Sequence, residues 1–379
     1  MWTIPLSALD YDELEGAAVA EVIASRWLSM GPETEAFERE FAAAHQVRHG
    51  VAVSSGSSAL LVALRAAGVG PGHEVIVPSL TFVATAHAVL QCGARPVFAD
   101  VISAQRPLLD PADVARRLTE HTRALLPVHY GGSLCHMAAL RALADQHGLT
   151  LIADAAHAAG TPDVGRLADA SCFSFYANKN LATGEGGMVL TDSPTIAHTC
   201  RALRSHGRVA SSHDKARGNM AGDDVAMHGT NARLTEMAAA LGRVQLRKLA
   251  AGNARRRQLR RLYAQALGEA LTLPLAGDEE ASACHLMVVA LPKGCDRDGV
   301  RDALARQGIQ TSVHYPPIHQ LSLFAAQSDG AANTPGLPIT EELGPRLLTL
   351  PLYVGLDDSQ VHQVCDGLLA ALATQESRS

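Results

Sequence analysis

The seven cysteines of this 379-residue chain (Cys92, Cys135, Cys172, Cys200, Cys284, Cys295 and Cys365) are scattered, odd in number and without a C-x-x-C pair. Such a set reads as reduced thiols rather than a disulfide framework or a thiolate metal site. No long basic block is present, charged residues make up 18% of the chain and the net charge is −6, so nucleic acid is not an expected partner. The densest basic stretch, Arg255-Arg256-Arg257 with Arg260 and Arg261, has a helical pattern and reads as a solvated or interface face. No apolar run approaches membrane-spanning length, and Met1-Trp2-Thr3-Ile4-Pro5 carries neither a basic nor an apolar signal region. The expectation is a cytoplasmic protein with no membrane partner. The 17 histidines form no H-E-x-x-H and no Cys/His cluster at ligand spacing, and His45 and His49 straddle a helix end, so no metal is expected. Low-complexity segments and solenoid repeats are also lacking.

What the chain does have is 47% hydrophobic content, enough for a large core or two domains. Val19, Val22, Ile23 and Trp27 mark one helical stripe, and Phe37 and Phe41 a second helix over Glu35–Ala44 with Thr34 as its N-cap. A strand–helix rhythm follows. Strands are predicted at Gly50–Ser54, Glu74–Pro78, Arg95–Ala99, Ala124–Val128 and Leu149–Ala153. Helices are predicted at Ser57–Ala67, Phe82–Gln91, Pro111–Leu118 (capped by Asp110) and His136–Gln146. Residues 206–230 read as a long polar surface loop, and Leu234–Leu249 as a strong helix. Beyond about residue 250 the rhythm changes. Cys284–Leu291 and Ile309–Val313 read as strands there, Asp298–Arg306 and Asp357–Ala373 as helices. The expected fold class is α/β: a mostly parallel sheet covered on both faces, hence three layers, over residues 1–250, with a smaller C-terminal α+β domain over 251–379. In such sheets ligands bind beyond the carboxyl ends of the strands. The glycine run Gly68-Val69-Gly70-Pro71-Gly72 follows a helix rather than a strand, and Pro71 blocks a dinucleotide turn, so it reads as a helix stop.

The chemistry-bearing residues lie where those strands end. Strand Leu149–Ala153 runs into Asp154, and Ser174 and Lys179 precede the turn Gly184-Glu185-Gly186-Gly187. An amine, a strand-end acid, a stacking surface and a cup of amide and hydroxyl donors are what a protein needs to hold pyridoxal 5'-phosphate. Lys179 is the amine and Asp154 the anion for the pyridine nitrogen. Phe82, just past Glu74–Pro78, is the stacking ring. Ser55-Gly56-Ser57 opens a helix whose free N–H groups form a phosphate site, and Ser174 adds a hydroxyl. Singly, each has a structural reading: Asp154 a turn residue, Ser55-Gly56-Ser57 a helix cap, Phe82 core. Their order and spacing together favour the cofactor.

The segments Ser54–Leu60, Gly72–Phe82, Asp154–Gly160, Ser174–Gly187, Asn231–Ala239, Gln245-Leu246, His314–His319 and Leu350-Pro351-Leu352 resemble the DegT/DnrJ/StrS family of sugar aminotransferases, which have the type I pyridoxal-phosphate fold. The resemblance runs through nearly the whole chain. It implies that Lys179 forms the Schiff base, that Asp154 pairs with the pyridine nitrogen, and that His157, at a position often Gln, contacts the cofactor's 3-oxygen. It implies that Gly56, Ser57 and Ser174 hold the phosphate, with Asn231 reaching it from the neighbouring subunit of a homodimer. It places His314, Tyr315 and His319 beside the substrate, a segment that reads equally well as a Pro-rich turn with packed aromatics. The chain departs from the pattern in Gly56-Ser57, where Gly-Thr is usual, in His157, and in a short stretch Thr161–Ala170, which leaves the acceptor contacts open. Lys179 argues against the dehydratase branch, which has His there. The implied activity is ping-pong transfer of an amino group from an amino acid, L-glutamate first, to a keto sugar carried on a nucleotide. A keto-cyclitol or other non-nucleotide polyol ketone is an alternative acceptor, and a non-catalytic pyridoxal-phosphate-binding regulator is an alternative from another class.

Overall fold

The computed structural model describes residues 2–208, 224–328 and 336–376. Two helices precede the sheet, α1 (Glu13–Ser25) and α2 (Pro32–Ala44). Asp12 and Glu15 close a capping box on α1, each carboxylate taking an N–H of the other's turn. The expected stripe on α1 is only partly buried: Val22 is covered, whereas Ile23 is 57% exposed. Thr34 is not the cap of α2. The helix begins three residues earlier than a Thr34 cap would place it: Gly31 is the N-cap, Pro32 takes the first position where no N–H is needed, and Thr34 lies inside the first turn. The donors of that turn go instead to Glu236, whose buried carboxylate accepts from the N–H groups of Gly31 (2.7 Å), Glu33 (2.7 Å) and Thr34 (2.9 Å) and from the Thr34 hydroxyl (2.6 Å).

The strand–helix rhythm then unfolds as β1 (His49–Val53), α3 (Gly56–Ala66), β2 (Glu74–Pro78), α4 (Ala84–Gln91), β3 (Arg95–Ala99), α5 (Pro111–Arg117), β4 (Thr122–Leu125), α6 (Met137–His147), β5 (Thr150–Asp154), β6 (Ala170–Ser174), β7 (Gly187–Thr191) and α7 (Pro194–Leu203). The seven strands lie in the order β1-β7-β6-β5-β4-β2-β3. From β6 to β3 all neighbours are parallel, and β7 runs antiparallel to both β1 and β6. Side chains alternate between the two faces. Val75, Val77 and Ile152 join the core under α3, α4 and α7, while Ile76, Leu151 and Ala153 join the opposite core with Val114 of α5 and Leu140 of α6. The mostly parallel, three-layer α/β expectation is what the chain adopts. Gly68 and Gly72 both have positive φ in the turn between α3 and β2, a conformation open to glycine at little cost.

Several boundaries move for identifiable reasons. β4 stops at Leu125 because Val128 makes only a single bridge, to Asp154. The segment 309–313 is not a strand: Ile309 bridges Ile4 and Ser312 bridges Thr349, two isolated pairings in different directions. Strand β7 and helix α7 were not expected from the pattern; Gly186-Gly187 disguises the start of an otherwise apolar run. Of the expected loop over 206–230, residues 209–223 lie outside the described residues, and its ends return on each other through the Arg208–Val225 bridge.

Helix α8 (Glu236–Leu267) is 32 residues long and continues well past Leu249. Its first turns pack Ala238 and Ala239 against Phe37, Phe41 and Phe173. Its last turns carry Leu259, Tyr263 and Leu267 into a separate core. That core is built with the antiparallel pair β8 (Met287–Ala290) and β9 (Leu347–Leu350) and with α9 (Arg297–Arg306) and α12 (Asp358–Glu376). The short helices α10 (Ser322–Ser328) and α11 (Pro338–Leu343) lie between α9 and β9 in the chain. Ile4 joins the same core, so the first residues of the chain belong with its last third. Only part of the basic cluster on α8 is a solvated face: Arg261 is exposed and Arg255 and Arg257 are half-buried, whereas the other two turn inward. Arg256 and Arg260 are 5% and 4% exposed, and they donate to the carbonyls of Leu352 (2.9 Å) and of Leu286 and Pro274 (3.1 and 3.2 Å). Guanidinium donors satisfy carbonyls that the two-stranded sheet leaves unpaired. Among the described residues no helix is long and apolar enough to cross a membrane.

The Glu236 contacts generate a stability prediction. Glu236→Ala leaves buried N–H groups without an acceptor and should destabilise the chain by about 2–4 kcal/mol, read as a lower unfolding midpoint. Glu236→Gln, which keeps one acceptor oxygen, should cost clearly less; equal midpoints for the two variants would contradict this role.

Candidate active site

Asp154 is the last residue of β5, the middle strand of the sheet, and its backbone is pinned through both its N–H and its C=O to the segment that follows β4. Its N–H donates to Pro127 O (2.8 Å), and its C=O accepts from His129 N–H (3.0 Å). The carboxylate is buried. Thr85 Oγ donates to Oδ2 (2.8 Å) and Ala156 N–H to Oδ1 (3.1 Å). Thr85 is itself held by Thr81 Oγ1 at 2.8 Å. Burial pushes the Asp154 carboxyl above its ordinary range, and the Thr85 hydroxyl, the Ala156 amide and the Lys179 charge oppose that rise.

Lys179 lies in a loop closed on itself by Phe175 N–H to Gly186 O (2.9 Å), Thr183 N–H to Phe175 O (2.8 Å) and its own N–H to Tyr176 O (2.8 Å). Burial pulls its amine down to about 8, against the pull of Asp154. An amine with that pKa exchanges a proton readily near neutral pH.

Both groups face one cavity of about 340 Å³, lined also by Ser55, Gly56, Ser57, Thr81, Phe82, His157, Ser174, Tyr176, Asn178, Glu185, His314 and Tyr315. The N-terminus of α3 enters at one side. Ser55 is its N-cap, accepting from Ser58 N–H (3.1 Å), which leaves the N–H groups of the first turn to serve a ligand. Gly56 is required by close approach, because a Cβ there would stand 2.7 Å from the Ser174 Cβ. The glycine thereby sets the helix end and the Ser174 hydroxyl side by side. Gly187 plays the matching part on β7, where a Cβ would collide with the Ser55 carbonyl.

Phe82 precedes α4 rather than starting it and stands in the turn after β2, 54% exposed and bordering the cavity. An aromatic ring left half in water beside an acid and an amine is a surface prepared for a planar partner. His157 lies below, buried, with Nδ1 accepting from Gly131 N–H (3.2 Å) and Nε2 3.0 Å from Tyr315 Oη. His314 lines the cavity and bonds Thr349 Oγ1 through Nδ1 (2.9 Å); burial, with Lys179 nearby, draws its pKa down to about 4.

Two residues named from the resemblance stand apart. His319 bonds Ser79 Oγ (2.6 Å), packs near Phe98 and does not line the cavity. Asn231 is exposed on a bridge to Ser205 and also lies outside the cavity of its own chain. Conversely, sequence reasoning missed Thr85, Thr81, Asn178, Tyr176 and Glu185. The only signal for Thr85 was its i, i+4 spacing from Thr81 just beyond a strand end. Asn178 Oδ1 is buried without a hydrogen-bond partner among the described residues. The donor and acceptor set fits pyridoxal 5'-phosphate: an amine, a buried carboxylate, a helix N-terminus with a hydroxyl, and a half-exposed ring around one cavity.

Comparison with known proteins finds relatives over nearly the whole chain. A transaminase of Streptomyces venezuelae, dTDP-3-amino-3,4,6-trideoxy-alpha-D-glucose transaminase, is 40% identical over 370 residues, 94% of this chain and 93% of its own. The spore coat polysaccharide biosynthesis protein SpsC of Bacillus subtilis (strain 168) is 38% identical over 361 residues, 92% of each chain. The crystal structure of S. venezuelae DesV in complex with a ketimine intermediate superposes with a TM-score of 0.87 at 37% identity, over 98% of this chain and 99% of that one. Residues 10–369 match a single family description, and the chain belongs to the DegT/DnrJ/EryC1/StrS aminotransferase family.

Proposed function

We propose that this protein is a pyridoxal 5'-phosphate-dependent sugar aminotransferase that takes its amino group from an amino acid, L-glutamate first, and delivers it to a keto sugar carried on a nucleotide. The observation that carries the reading is the convergence of the Lys179 amine, the Asp154 carboxylate and the α3 N-terminus on one cavity. Kinship at 40% identity with a transaminase named for a dTDP-linked amino sugar supports the nucleotide-linked acceptor.

When bound, pyridoxal 5'-phosphate supplies the electron sink and carries the amino group between donor and acceptor. The protein's residues do the rest. The N–H groups at the start of α3 and the Ser174 hydroxyl would hold the phosphate. Phe82 would cover the ring. Asp154 supplies the negative charge that keeps the pyridine nitrogen protonated, and Thr85 and Ala156 orient it. Lys179 Nζ would take a proton from the substrate carbon and return it two atoms away, to the carbon on the far side of the transferred nitrogen, as base and then acid. Its depressed pKa keeps a neutral fraction available for the first of those tasks. One cavity serves both substrates in turn, so donor product leaves before acceptor enters.

The reading includes a homodimer in which Asn231 completes the partner's phosphate site. In support, Asn231 is exposed and lies outside its own cavity.

Three outcomes test this. L-Glutamate should abolish the visible absorbance of the bound cofactor, and a nucleotide-linked keto sugar added after donor removal should restore it. Persistence of the absorbance with every amino donor would overturn transamination, and restoration by a free cyclitol alone would move the acceptor to the non-nucleotide class. Asp154→Asn should lower turnover at least ~100-fold. The ionised Asp154 is penalised by burial at neutral pH, so the same change should raise the unfolding temperature of the cofactor-free chain, by about 1–3 °C. Unchanged turnover would remove Asp154 from the mechanism. Finally, Lys179→Ala and Asn231→Ala subunits, each impaired alone, should recover activity when mixed and reassembled, because one site per mixed dimer is then intact. Absence of recovery in verified mixed dimers would place Asn231 outside the shared site.

A further inference from the structure

The hydrogen bonds around His157 fix which of its nitrogens carries the proton. Gly131 N–H donates to Nδ1 (3.2 Å), so Nδ1 must present a lone pair. Burial, reinforced by the charges of Lys179 and His314, holds the ring neutral. Its single proton is therefore on Nε2, which lies 3.0 Å from Tyr315 Oη, and the phenol oxygen accepts. Both nitrogens of His157 are thus committed to the protein. Tyr315 differs. Its oxygen is occupied by His157, yet its own O–H has no protein acceptor among the described residues, and the ring lines the cavity that holds Asp154 and Lys179. Burial keeps the phenol protonated. The other titratable neighbours have partners of their own: Asp154, whose charge also bears on the phenol, accepts from Thr85 and Ala156. His285, 4.4 Å from His157 ring to ring, gives its Nδ1 proton to Asn180 Oδ1 (3.0 Å). The Asn180 oxygen is free to accept because its amide nitrogen donates to Asn253 Oδ1 and Ala283 O (both 2.7 Å). His314 is turned to Thr349, and the Tyr130 hydroxyl to the His314 carbonyl.

We propose that Tyr315 is the direct hydrogen-bond donor on this wall of the cavity, and that His157 acts through it as a positioning residue. The receiver is an oxygen of the bound molecule, either the ring oxygen of the cofactor or an oxygen of the keto sugar. The inference rests on the pyridoxal-phosphate reading above. It reassigns the contact that the family pattern gives to position 157, because a histidine between Gly131 and Tyr315 has no donor left to offer.

The test uses the cofactor-loaded enzyme with Tyr315→Phe, His157→Leu, His157→Gln and the double variant Tyr315→Phe/His157→Leu. Two quantities are read: the pH midpoint of the bound cofactor's visible absorbance change, and the rate of the acceptor half-reaction. A donor to an anionic ring oxygen favours its ionised form, so losing it raises the midpoint. If the receiver is the ring oxygen, Tyr315→Phe should raise the midpoint by about one unit. If it is a sugar oxygen, the midpoint stays and the acceptor step slows about tenfold. In either case His157→Leu should move the same quantity in the same direction. His157→Gln, whose amide can still donate to Tyr315, should restore most of it. The double variant should match Tyr315→Phe alone. Additive effects of the two single changes would overturn the proposal, as would a Tyr315→Phe enzyme with both quantities unchanged. A wild-type chain that takes up no pyridoxal phosphate would instead count against the functional reading itself.

Discussion

A carboxylate kept out of water at the end of the middle strand sets the terms for everything around it. Charge in a poorly solvated place is costly, and the cost is met only by groups aimed at it. Asp154 receives one hydroxyl and one amide hydrogen bond, and it faces the amine of Lys179 across a cavity open to a cationic or protonated ligand. Burial raises the pKa of the acid and lowers that of the amine, while each charge draws the other partly back. Neither group is comfortable without a partner between them. A protonated pyridine nitrogen would answer the acid and a carbonyl carbon the amine, which is the pairing that the proposed function assigns to them.

The sheet order explains how the parts meet. β5 lies in the middle with β4 and β6 beside it, so Asp154, the turn after β4 and Ser174 all emerge at one edge. β7 then reverses direction, which returns the chain from the Lys179 loop and lays Gly187 against Ser55 at the mouth of α3. Two glycines that admit no side chain, Gly56 and Gly187, hold the helix end, Ser174 and the lysine loop within touching distance. The antiparallel strand interrupts an otherwise parallel sheet, and it does so at the place where the amine has to be brought back over the acid.

Much of this was legible in sequence because it follows local grammar. The strand ending in Asp154, the Ser-Gly-Ser helix start and the lysine before a Gly-rich turn are each written in adjacent residues. What stayed hidden depends on partners distant in the chain. Thr85 binds Asp154 across 69 positions, and Glu236 caps a helix more than two hundred residues before it, so neither partnership is written in adjacent residues. The arginines of α8 looked like surface because charge on a helix usually is. Arg256 and Arg260 are buried because the small two-stranded sheet and its loops leave carbonyls that only long, multi-donor side chains can reach. The segment 309–313 looked like a strand for the converse reason: its residues suit one, but its two neighbours offer only single bridges.

The distance between Lys179 and Asp154 is therefore not a local property of either loop. Asn180, next to the lysine, donates to Asn253 on α8, and Asn253 in turn donates to the carbonyl of Ala159, five residues past the acid (2.9 Å). Asn180 also reaches Ala283 and His285, which stand before β8. One buried amide pair thus joins the lysine loop, the loop after the acid, the long helix and the C-terminal core. Gly160 admits this arrangement because a Cβ there would stand 2.6 Å from Asn253 Nδ2. The long helix is what makes the site a property of the whole chain: its first turns are fixed to α2 through Glu236, its middle to both catalytic loops through Asn253, and its end to the core beside the segment that delivers Tyr315. The amine and the phenol thus share a frame set by buried amides rather than by their own loops.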